Sequence, residues 1–133
     1  MRSRIYYALA SAVGIAGALH LYLASTLLTH QFLQFAEFFL IAGTLQAVWT
    51  VPLLKGRGRV WLYGGLGGNV ALFFLWLVTR FPNPITRMGL PVNSIGIVTE
   101  ALQLAFIALA VAAFYTLHKQ AAAEQSPEGH TRA

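Results

Sequence analysis

The sequence predicts an all-α integral membrane protein, a four-helix bundle with its N- and C-termini cytoplasmic, and three observations lead there. Of its 133 residues, 57% are hydrophobic and only 10% charged, with a mean hydropathy of +0.63. A soluble domain of this size carries far more charge on its surface. Four apolar runs, at about 5–28, 32–54, 60–79 and 95–117, account for most of the chain, each close to the ~20 residues that a helix needs to cross about 30 Å of hydrocarbon. The basic residues stand at the ends of these runs. Helices are expected because a backbone facing lipid must satisfy its own hydrogen bonds.

The first run follows Arg2 and Arg4 and carries a small face at Gly14 and Gly17. A signal peptide is the alternative there, but the run is long for one and holds His20. The second and third runs are joined by a link containing Lys55, Arg57 and Arg59, and Lys119 follows the fourth. Four spans put all these basic segments on one side, which the positive-inside rule makes cytoplasmic. The third run holds Gly64, Gly65, Gly67 and Gly68, whose Gly64–Gly68 pair invites close helix contact within the bundle, with a dimer seam as the alternative. Residues 1–119 thus form one transmembrane domain, and 120–133 read as a disordered cytoplasmic tail. Trp49 and Trp61 near the inner boundary and Trp76 near the outer one read as interfacial belt residues.

Composition removes several function classes. The absence of cysteine excludes disulfides, thiolate metal sites and thiol redox chemistry. The net charge of +5 does not point to nucleic acid, since the basic residues flank apolar runs; they fit topology signals and lipid headgroup contacts. No GxSxG, HExxH, phosphate-loop or dinucleotide-binding motif occurs. The partner to expect is the lipid bilayer of the cell (plasma) membrane, together with other membrane subunits or further copies of the chain.

The unusual residues fall on the outer side. The third-to-fourth connection contains Pro82, Pro84 and Pro91, which stiffen it, and Asn83, Arg80 and Arg87, on the side where basic residues are disfavoured. Headgroup anchoring, paired carboxylates or an anionic ligand would each suit those arginines. The only acids in the apolar part are Glu37 and Glu100. Each lies roughly 8–10 Å inside its helix's outer end, where a charge needs a partner, a proton or a metal. His30, Gln34 and Glu37 share one face of the second helix, and Asn93, Gly96, Glu100 and Gln103 share one face of the fourth. Gln46 is about 180° round from Glu37 and is expected to bond elsewhere. Polar residues turn inward in a membrane bundle, so the expected outer cluster is His20, Gln34, Glu37, Arg80, Glu100 and Gln103.

Three uses of that cluster compete, with proton relay as a lesser fourth. The first is structural, an arginine pairing with a buried glutamate. The second is a binding site in an accessory or ligand-binding subunit. The third is a small membrane metallo- or redox enzyme using His20, Glu37 and Glu100, with His30 as a further possible metal ligand. Metal-ligand spacings such as HxxxH or ExxH are missing from the helices.

Four stretches carry a resemblance: Ala16 to Leu21 (AGALHL), Phe38-Phe39 with Gly43 and Gln46, Gly67-Gly68-Asn69, and Arg80 followed by Gly89-Leu90-Pro91. Across about residues 13–105 the chain resembles small uncharacterised four-span membrane proteins of bacteria and archaea. These have a helix-one histidine, an Arg…Gly-Leu-Pro loop and a helix-four glutamate. The resemblance implies four spans and assigns no activity. The chain departs from that pattern by inserting Phe81 to Met88 between the arginine and Gly-Leu-Pro, so no role for Arg80 or Arg87 is carried across.

Overall fold

A computed structural model describes residues 2–29, 33–56, 58–84, 87 and 89–124. Four α-helices follow one another, α1 (Arg2–Thr29), α2 (Leu33–Leu54), α3 (Gly58–Thr79) and α4 (Ser94–Glu124), without a strand among the described residues. All four are long and apolar enough to cross a membrane. The shortest have 22 residues, a rise of about 33 Å. α4 runs on through Gln120-Ala121-Ala122-Ala123-Glu124, into the segment expected to be tail. Alanine, glutamine and glutamate are strong helix formers, which accounts for the extra turn.

The connections are shaped by a few residues. Gly56 and Gly58 adopt φ of +60° and +68°, values that a side chain disfavours, and they reverse the chain between α2 and α3. Between α3 and α4, the Leu90 amide donates to the Thr79 carbonyl (2.8 Å) and draws the connection back onto its own helix. Gly89 is obligatory there, because a Cβ would run into the Arg80 carbonyl oxygen. Asn93 then caps α4, its Oδ1 accepting from the Gly96 amide at 2.7 Å.

α1 packs along α2 and α4, and α3 packs on α4, whereas α2 and α3 meet only sparsely. The α1–α2 contact depends on two glycines. A Cβ on Gly17 would stand 3.0 Å from the Gly43 carbonyl oxygen, and one on Gly43 would stand 2.8 Å from that of Gly17, so the backbones touch as small residues allow in membrane bundles. Where α2 does reach α3, Trp49 is the wedge. Its ring lies against Gly64, and its Nε1 donates to the Trp61 carbonyl at 2.9 Å. Gly64 therefore accommodates an indole, and Gly67 and Gly68 face open space. Trp49 is a half-buried packing residue and not only a member of an interfacial belt.

Burial divides the bundle into halves. The half nearer the termini holds the apolar core, including Leu9, Val13, Leu53, Leu62, Phe106 and Ala110. From mid-bundle to the α3–α4 connection the buried set turns polar: His20, Gln46, Asn69, Thr99, Glu100 and Gln103.

Two glycine substitutions separate contact from propensity. Gly43→Val forces a side chain into the α1 backbone and is expected to cost about 1–3 kcal/mol in thermal or denaturant unfolding in detergent. Gly67→Ala meets nothing, and is expected to be neutral or to stabilise by about 0.5–1 kcal/mol.

Candidate functional site

Three of the buried polar side chains form a chain across three helices. The Asn69 amide nitrogen donates to the Gly65 carbonyl at 2.8 Å, one turn earlier on α3. A carbonyl only accepts, so the Asn69 amide is oriented with Oδ1 toward α2, where it accepts from Gln46 Nε2 at 3.4 Å. Gln46 Oε1 must then face α1, and His20 Nδ1 donates to it at 2.7 Å. The Ala16 backbone, one turn earlier on α1, also lies close to the ring. Enclosed at 4% exposure and with no carboxylate in hydrogen-bond contact among the described residues, the ring is uncharged. This order of donors and acceptors then fixes the tautomer of His20: Nδ1 carries the proton and Nε2 keeps its lone pair.

His20 also walls a cavity of about 390 Å³ with Phe35, Phe39, Leu72, Trp76, Arg80 and Glu100. A second space of about 440 Å³ shares His20, Phe35, Phe39, Trp76, Arg80 and Glu100 and reaches between α1 and α4 to Thr26, Asn93 and Thr99. On the other side, Leu72 and Leu75 join the first cavity to a gap of about 300 Å³ bordered by Ala42, Leu45, Gln46, Gly64, Gly68 and Asn69. Together they make a groove along the poorly packed α2–α3 seam, apolar along its length and polar at the connection end. The His20 ring stacks on Phe39 at 5.5 Å, so the polar end has an aromatic wall.

Arg80 closes that end. Its Nε donates to the Trp76 carbonyl (3.3 Å), Nη2 to Thr79 Oγ1 (3.1 Å) and Nη1 to the Pro91 carbonyl, while the guanidinium carbon stands 5.1 Å from the Trp76 ring centroid. This planar fork ties α3 to the connection as lysine would not. Burial lowers the guanidinium pKa from its ordinary value, and the Glu100 carboxylate raises it again, so the two groups sense each other. They do not close an ion pair, and Glu100 Oε2 and both amide atoms of Gln103 are enclosed without a hydrogen-bond partner. Such groups cost about 1–3 kcal/mol each, which makes this stretch of α4 a candidate for contact with a ligand.

The expected cluster is therefore assembled in part. His20, Arg80 and Glu100 line one cavity, and Gln103 lies one turn from Glu100, fully buried. Glu37 does not join them: it is exposed on the flank of α2. Ala42, Gln46 and Leu53 define the buried face of that helix, and Glu37, half a turn away from Gln46, is carried outward. Gln34 belongs to α2, but its side chain lies outside the described residues, as does His30 altogether. Among the described residues no three histidine or acidic side chains come together as a metal site, so the set His20, Glu37 and Glu100 is not assembled. Asn83 serves the connection, donating to the Val78 and Phe81 carbonyls at 3.3 and 3.0 Å. Arg87 is exposed, at φ +59°. Gln46 and Asn69, which sequence reasoning left outside the cluster, turn out to orient its histidine. Their signal was their position, as amides in mid-span, where an unpaired polar group is costly.

A double-mutant cycle on His20→Phe and Gln46→Leu is expected to give a coupling of about 0.6–1.7 kcal/mol, the range of membrane hydrogen bonds, when thermal unfolding is followed in detergent. Additive effects would mean that the pair is not formed.

No family model matches the chain, and neither a curated protein nor a solved structure does.

Proposed function

We propose that the chain is a multi-pass protein of the cell membrane, with both termini in the cytoplasm, that acts as an accessory or ligand-binding subunit. Its ligand is an amphiphilic molecule taken laterally from the bilayer through the α2–α3 seam. One observation carries this reading: the apolar groove along that seam ends at His20, Arg80 and Glu100, with the carboxyl of Glu100 buried and unpartnered. A chain of hydrocarbon fits the Leu45–Leu72–Leu75 stretch, and a polar head fits the far end. Ligand sites in membrane bundles lie between helices and combine apolar walls with a few polar groups. A purely structural cluster would have its polar atoms paired. The intended complex, with other membrane subunits or further copies of the chain, belongs to the same proposal.

Organic extraction of the purified protein followed by mass spectrometry tests it. The wild type should release an amphiphile in near-stoichiometric amount. Leu72→Trp, which fills the junction of the groove and the cavity, should release several-fold less at unchanged helicity. Equal release from both proteins would contradict the reading.

A further inference from the structure

The fixed tautomer of His20 says what kind of head the cavity takes. We propose that the site selects amphiphiles whose ring bears a free hydroxyl group, of the phenol or hydroquinone class, with His20 Nε2 accepting the hydroxyl hydrogen bond. This deepens the proposed amphiphile site and rests on that reading. The inference follows from three features together. Asn69 and Gln46 commit Nδ1 as the donor to Gln46 Oε1, so the nitrogen left to a ligand is an acceptor. Glu100, 6% exposed and with Oε2 unpartnered, is a second hydrogen-bonding group on the wall of the same cavity. Phe35, Phe39 and Trp76 line it, and the existing His20–Phe39 stack leaves a planar head the best match to those walls. A head offering only acceptors, such as an ether or an ester, would face Nε2 lone pair to lone pair.

Binding of a decyl-substituted hydroquinone and of its dimethyl ether to detergent-purified protein, kept under reducing conditions and followed by tryptophan fluorescence, separates the possibilities. The two probes share size, ring and tail and differ in the hydroxyl hydrogens. The wild type should bind the hydroquinone about tenfold more tightly, the equivalent of one well-formed buried hydrogen bond. His20→Phe keeps the aromatic wall and should bring the ratio close to one. Gln46→Leu, which releases the tautomer, should lower it several-fold. Equal affinities in the wild type, or a ratio unchanged in His20→Phe, would overturn the hydroxyl assignment while leaving the amphiphile site in place. If neither probe binds the wild type, the ring-hydroxyl class is wrong, and the lipid extracts from wild type and Leu72→Trp decide independently whether the groove holds an amphiphile at all.

Discussion

The hydrogen-bond chain from Asn69 through Gln46 to His20 is the constraint on which the rest of this bundle depends. In hydrocarbon no solvent satisfies an amide or an imidazole, so each must find its partners within the protein, on its own helix or on a neighbour. One backbone carbonyl, that of Gly65, sets the direction of the whole chain, because the Asn69 nitrogen must face it. Everything further along follows in order, ending in a histidine whose free nitrogen is an acceptor. The chain also ties α1, α2 and α3 at mid-height, where α2 and α3 otherwise touch little.

That weak seam is a consequence of residue size. α1 and α2 come together through Gly17 and Gly43, backbone against backbone. α3 is held off α2 by the indole of Trp49 seated on Gly64, and beyond that wedge Gly68 offers no side chain to fill the space. The apolar core of Leu9, Leu53, Leu62 and Phe106 closes the half near the termini. The groove widens toward the other half, where Arg80 and the Gly89-Leu90-Pro91 turn form its lid. Stability and opening are thus divided between the two ends of the bundle.

Much of this was legible in the amino-acid order. Four apolar runs near the length of a membrane crossing gave the helices, since hydrocarbon thickness and helix rise leave little choice. His20, Arg80 and Glu100 were legible as polar groups at one depth on separate helices. Rotation was not. The sequence places Glu37 and Gln46 on opposite faces of α2, and a membrane helix apolar all round does not reveal which face turns inward. The contact of Gly43 with Gly17 decided it: with that side against α1, Gln46 is buried and Glu37 is exposed. The role of Trp49 was hidden for a related reason. An indole near a helix end looks the same whether it meets headgroups or wedges against a glycine on a neighbouring helix.

The protonation pattern of the His20 ring reports whether the Asn69–Gln46–His20 chain is formed in this order. In protein labelled with ¹⁵N-histidine and reconstituted in lipid, nitrogen resonances assigned to His20 by comparison with His20→Phe report which ring atom bears hydrogen. The hydrogen-bond chain requires a ring protonated at Nδ1 and bare at Nε2, with that preference lost in Gln46→Leu. A ring protonated at Nε2 alone, or at both nitrogens, would contradict it.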